Sequence, residues 1–206
     1  MNGILNYQSS EYDCGPVTLT NALRFLFPRI MISPDLLRGI FLYTLDTFNE
    51  HGESGRYGTS RASMNFMSEW LNAYGKTRSF PIGSRYLRGA DVSLAEDGDL
   101  IAALSGGGVV VIRTMLDEVE HYVLLTGIDR DGIALFDPYE EEAVYFEQES
   151  PSRGGIRVVS DEPRRCNRVV SESILKSTEG IDYAFGPVES REAVIVYNLD
   201  TYTGQR

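Results

Sequence analysis

The sequence predicts an α+β fold, with N-terminal helices packed against a C-terminal antiparallel sheet, in one domain spanning 1–206. Three observations predict it. Apolar residues recur at helical spacing through the first half. Short β-branched runs fill the second half. Asp129-Arg130-Asp131-Gly132 separates two such runs as a hairpin turn. Helices first and strands second is the order of an α+β chain.

The elements follow in chain order. Leu19, Ala22, Leu23 and Leu26 share one helix face, and Pro28 closes the segment. Ser33-Pro34 reads as a cap followed by proline at the first helical position, and Leu36, Leu37, Ile40 and Phe41 continue that helix. Residues 49–58 hold three glycines and no apolar period, which predicts a loop. A third helix starts after Thr59 or Ser60, with Met64, Met67, Leu71 and Tyr74 on one face and Gly75 as its stop. Strands are predicted at Val109 to Ile112, His121 to Ile128, Ile133 to Phe136, Ile156 to Val159 and Ala193 to Tyr197. Residues 139–187 are polar and charged, and read as an insertion or irregular segment.

Composition narrows the function classes. A chain with 42% hydrophobic and 24% charged residues buries a core without covalent staples. Its net charge of -11 excludes a phosphate-backbone partner and an anionic membrane surface. The same charge favours neutral or basic peptides. No run approaches the roughly 20 apolar residues of a membrane span. The N-terminus lacks the basic start and apolar stretch of a signal peptide, so a cytoplasmic protein is expected. Two cysteines, Cys14 and Cys166, make no disulfide framework, and a single bridge between them stays open. Two cysteines and two histidines scattered along the chain have no ligand spacing, so no metal or cofactor is expected.

The strongest chemical signal is Gln8-Ser9-Ser10-Glu11-Tyr12-Asp13-Cys14-Gly15-Pro16. Cys14 falls where the first helix begins, and Pro16 lies in the first turn, where a missing N–H costs little. A thiol there meets the positive end of the helix dipole, which favours the attacking thiolate. Gly15 is expected to leave the approach to sulfur open, and Asp13 to cap the helix. Gln8 can point an amide N–H beside the Cys14 backbone N–H, forming an oxyanion hole. The competing structural readings are a small buried cysteine and an ordinary surface glutamine.

Only two histidines can serve as a base. His51 sits in the glycine-rich loop and is given a solvated role. His121 opens an otherwise apolar strand, where a polar ring needs a partner. Asp137 ends the next strand and can orient that ring, leaving the other nitrogen for Cys14. One geometric obstacle stands in the way. A regular turn at Arg130-Asp131 pairs Asp137 with Leu124, on the opposite face from His121. A bulge near Gly132 is expected to correct the parity. A turn residue before Pro138 is the competing structural reading of Asp137.

Read together as Q-x5-C-G-P-x2-L, His121-Tyr122-Val123-Leu124 and Phe136-Asp137-Pro138, these stretches resemble the bacteriocin-processing, double-glycine leader peptidases. The resemblance implies a papain-like cysteine peptidase fold. It implies a triad of Cys14, His121 and Asp137, with Gln8 as oxyanion donor, acting on a peptide or amide substrate. The chain lacks the P-loop pattern of the transporters that carry such domains, so a stand-alone member is implied. An acyl transferase using the same centre, and a non-catalytic peptide-binding module on this scaffold, remain the alternatives.

Overall fold

The computed structural model describes residues 4–141, 143–146 and 150–204. Three helices come first: α1 (Cys14–Leu26), α2 (Pro34–Thr44) and α3 (Arg61–Arg78). Then follow β1 (Ile82–Arg88), α4 (Asp99–Ser105), β2 (Val109–Leu116), β3 (Val119–Asp129) and β4 (Gly132–Phe136). The chain closes with β5 (Ile156–Val158), β6 (Arg168–Val170), α5 (Glu172–Leu175) and β7 (Glu192–Asn198). The strands form one sheet in the order β1-β7-β2-β3-β4-β6-β5, and every neighbouring pair is antiparallel. The α+β class read from the sequence is the architecture observed.

The apolar runs explain where the core sits. On one side of the sheet, Val109, Val111, Leu124 and Phe136 pack with Leu19, Leu23, Leu36, Ile40, Met64 and Met67 of the three helices. On the other, Val110, Ile112, Val123, Leu125, Ile133 and Leu135 pack with Leu100 and Leu104 of α4 and with Tyr183 and Phe185. A sheet covered on both faces has no solvent side, so its central strands read as continuous hydrophobic runs.

Two of the helices begin as the sequence predicts. Ser33 Oγ accepts from Asp35 N at 3.2 Å, and Ser60 Oγ accepts from Ser63 N at 3.2 Å. The third helix ends differently. Gly75 does not stop α3, which runs on to Arg78 and ends at Ser79 with φ 51. Gly75 instead lets β1 approach: a Cβ there would lie 2.9 Å from the Ile82 carbonyl oxygen. The missing side chain is needed for contact, and the left-handed cap falls on a serine.

Residues 139–187 include two strands of the sheet. β6 pairs with β4 from Ile133↔Val170 to Leu135↔Arg168, and β5 pairs with β6. The predicted strand at Ile156 to Val159 is β5. β1, β6 and α4 are elements the periodicity reading did not find.

Candidate active site

Cys14 is the first residue of α1 and is 7% exposed. The helix starts there without the expected cap. The Asp13 side chain makes no capping bond. Its carboxylate turns back, with Oδ1 accepting from Ser10 N at 3.0 Å and Oδ2 from Ser9 Oγ at 3.0 Å. Asp13 therefore shapes the 9–13 turn between Gln8 and Cys14 and leaves the first-turn amides free of a side-chain cap.

Gly15 also has a different role from the one expected. A Cβ at Gly15 would lie 2.3 Å from Thr59 Oγ1 and 2.9 Å from Thr59 Cβ. The glycine lets the start of α1 dock against Thr59, just before α3. Gly15→Ala should therefore destabilise the protein by about 1–3 kcal/mol, the usual cost of overpacking. Thr59→Gly in the same chain should restore part of the loss in denaturant unfolding. An unchanged midpoint for Gly15→Ala would refute the steric account.

Two buried anchors fix α1 to the sheet and to the N-terminal segment. Thr18 Oγ1 donates to the Tyr122 carbonyl at 3.0 Å, one residue from His121. Asn21 brackets Asn6, accepting from its N–H at 2.8 Å and donating to its carbonyl at 2.8 Å. Gln8 N then donates to the Pro138 carbonyl at 2.8 Å. The N-terminal segment is thus strung between α1 and the end of β4, which sets Gln8 beside the turn carrying Asp137. The Gln8 Nε2 donates to the Ser10 carbonyl at 2.9 Å, while its Oε1 is buried without a partner.

His121 lies near the start of β3 and is 7% exposed. Its Nε2 is 2.6 Å from Asp137 Oδ1. The parity obstacle is removed by a bulge, but not near Gly132. The turn is regular, with Asp129↔Gly132 and Ile128↔Ile133, and the register shifts between Leu125 and Gly127. Beyond it Leu124 faces Phe136. Continued by one residue, the register sets Asp137 across from Val123, on the same side of the strand as His121.

Asp137 is fully buried, and each carboxylate oxygen has a protein donor. Oδ1 accepts from Tyr139 N at 2.8 Å as well as facing His121, and Oδ2 accepts from Tyr183 Oη at 2.7 Å. Asn167 grips the backbone on both sides, accepting from Asp137 N at 2.8 Å and donating to Asp137 O at 2.8 Å. The Tyr139 and His121 rings stand nearly perpendicular, with centroids 6.4 Å apart.

The electrostatics follow from this packing. Burial disfavours the charged imidazole. The Asp137 carboxylate and its hydrogen bond, together with the neighbouring Cys14 side chain, outweigh burial and push the His121 pKa up to about 10. With Nε2 on Asp137, the Nδ1 edge is the one left for sulfur. Burial raises the Asp137 carboxyl, but the adjacent imidazole and the donors from His121, Tyr183 and Tyr139 hold it below its ordinary value. His121 and Asp137 are thus directly joined, and Cys14 lies near enough to His121 for the two to interact electrostatically.

The remaining candidates are elsewhere. His51 is exposed in its loop, 3.5 Å from Glu50. Cys166 is a free thiol in a separate apolar cluster with Ala134, Val159 and Val169, so the bridge left open by the sequence is absent. Burial pushes the Cys166 thiol up. A cavity of about 530 Å³ between α3 and β1 is lined by residues such as Arg61, Tyr86 and Arg88, and by none of the four candidates. Among the described residues no group of three His, Cys, Asp or Glu side chains is placed to hold a metal, and no helix is long and apolar enough to cross a membrane. Sequence reading missed Asn167, Tyr139, Tyr183 and Thr18. None belongs to a recognisable spacing with Asp137 or Cys14.

No family model matches the chain, and no curated protein matches it. Among solved structures it is similar to the peptidase domain of Streptococcus mutans ComA, at 14% identity, covering 94% of this chain and 98% of that one, with a TM-score of 0.42. It is also similar to the peptidase domain of Streptococcus ComA described as a bi-functional ABC transporter involved in a quorum sensing pathway. That match is 13% identical, covers 94% of this chain and 97% of that one, and has a TM-score of 0.44.

Proposed function

We propose that this chain is one papain-like domain that hydrolyses a peptide or amide bond through Cys14, His121 and Asp137. The observation that carries the reading is the cluster: a thiol at a helix start, electrostatically coupled to a buried imidazole whose Nε2 lies 2.6 Å from a buried carboxylate. Nucleophile, base and orienting group stand in the order that acyl transfer by a thiol needs. No third member is missing, which is what a pure binding module would tolerate losing.

In this reading Cys14 Sγ attacks the substrate carbonyl carbon, and its proton resides on His121. A C–S bond forms and the carbonyl oxygen becomes an oxyanion. The Cys14 backbone N–H and the second amide N–H of Gln8 hold that charge. The C–N bond then breaks as the imidazolium gives its proton to the leaving amine. Water attacks the thioester, His121 takes its proton, and the C–S bond breaks to release a carboxylic acid. Asp137 keeps the ring aligned throughout.

The test is trapping on Cys14. A chloroacetamide-type alkylating agent should modify Cys14 faster than a free thiol at neutral pH, and an activated peptide ester should leave a mass-detectable acyl-enzyme there. Gln8→Ala should slow acylation by about 10²–10³-fold, the typical effect of removing one oxyanion donor, without slowing alkylation. A Cys14 that alkylates no faster than a free thiol refutes the reading.

A further inference from the structure

We propose that Tyr183 is a positioning residue of this centre: its hydroxyl holds Asp137 Oδ2, which keeps Oδ1 on His121. The inference rests on the catalytic reading above and extends the apparatus beyond the β3–β4 hairpin, into the segment between 139 and 187.

The geometry is specific. Tyr183 is completely buried, and its Oη donates to Asp137 Oδ2 at 2.7 Å. Its ring stacks on Phe146 with centroids 5.6 Å apart. A phenylalanine would fill that space equally well, so packing alone does not call for the hydroxyl. The backbone also gives a reason to look beyond packing. Tyr183 has φ 63, a left-handed conformation that is strained for a non-glycine residue. The strain is held by Tyr183 N donating to the Met115 carbonyl at 2.6 Å and Met115 N donating to Ala184 O at 3.0 Å. Strained residues that the surroundings over-determine cluster at functional sites. Here the strain delivers a hydroxyl to a carboxylate whose other oxygen faces the imidazole.

Removing the hydroxyl would leave Oδ2 buried without its donor, a state that costs more than the bond was worth. The carboxylate then has a competing attraction. The Arg168 guanidinium lies over the Phe146 ring at 4.7 Å, beside Tyr183, donates to the Asn167 and Glu141 carbonyls, and keeps a buried Nε without a partner. A carboxylate released by Tyr183 can turn toward Arg168 and leave His121 Nε2. The other group on the imidazole is Cys14, which offers no replacement on the Nε2 side.

The test compares Tyr183→Phe with Phe146→Leu, which loosens the same packing and keeps the hydroxyl. Four readouts are taken in each: the low-field proton resonance of the His121–Asp137 hydrogen bond, kcat and KM for the acylating substrate, the pH dependence of Cys14 acylation, and thermal stability. Tyr183→Phe should shift or broaden the resonance and lower kcat about tenfold with KM unchanged, the scale on which orienting partners act. It should also move the alkaline limb to lower pH. Phe146→Leu should lower Tm without these changes. A wild-type resonance and kcat in Tyr183→Phe, or the same losses in Phe146→Leu, would overturn the proposal. The resonance reports on Tyr183 even if Cys14 proves inert, so the two readings fail separately.

Discussion

His121→Ala should slow acylation of Cys14 by roughly 10²–10⁴-fold, the range that a positioned acid–base group contributes. The ring interacts with Cys14 on one side and lies 2.6 Å from Asp137 on the other. In the proposed mechanism its loss removes the group that takes the thiol proton and protonates the leaving amine. The other histidine, His51, is exposed in its loop and faces Glu50. Cys14→Ala should abolish acylation outright. Single-turnover acylation separates these effects from substrate binding. A His121→Ala rate within threefold of the wild type would remove the imidazole from the chemistry.

Asp137→Ala should cost about 3–5 kcal/mol of stability, the scale for breaking a buried ion pair by deleting one partner. The alanine would strand the His121 ring, the Tyr139 N–H and the Tyr183 hydroxyl, all of which meet the carboxylate within 2.8 Å. Asp137→Asn keeps the shape and deletes the charge, so it isolates the electrostatic part. Its signature is the pH dependence of unfolding. The folded His121 pKa is raised from 6.5 to about 10, so its stabilising contribution is fully present below 6.5 and is lost as pH rises through about 10. Asp137 is lowered from 3.8, so its contribution is present above that value and is lost as pH falls through the folded value. Wild-type stability should therefore decline between pH 6.5 and about 10, and Asp137→Asn should flatten that decline. Equal slopes for the two proteins, from denaturant midpoints across this window, would show that the charge pair is not coupled to folding.

Much of this was legible because the signals are local. Pro16 and the apolar spacing after it place a helix start at Cys14. β-branched runs mark β2, β3 and β4, since strands buried on both faces read as uninterrupted apolar stretches. β1 was not legible because Ile82–Arg88 carries glycine, serine and two arginines. It is held as a strand by pairing with β7 and by Asn72, which accepts from Ser84 N at 2.8 Å and donates to Ser84 O at 2.9 Å. Gly75 misled because a helical glycine has two common explanations, a stop and a close contact, and the sequence does not separate them. Asp13 misled for a similar reason: a carboxylate before a helix can turn forward to cap it or backward to bind the preceding turn.

By itself, the sequence determined the order of helices and strands, the residue types able to carry thiol chemistry, and which of two histidines opens an apolar strand. Only the tertiary structure decided where the bulge falls, and with it whether Asp137 shares a side with His121. A one-residue slip reverses every side chain of a strand, and no local propensity at Thr126 announces such a slip. Only the tertiary structure, likewise, brought Asn167 to the Asp137 backbone and Tyr183 to its carboxylate, from 30 and 46 residues away. Their bonds to Asp137 are contacts across the fold, and contacts at that separation leave no period in the chain.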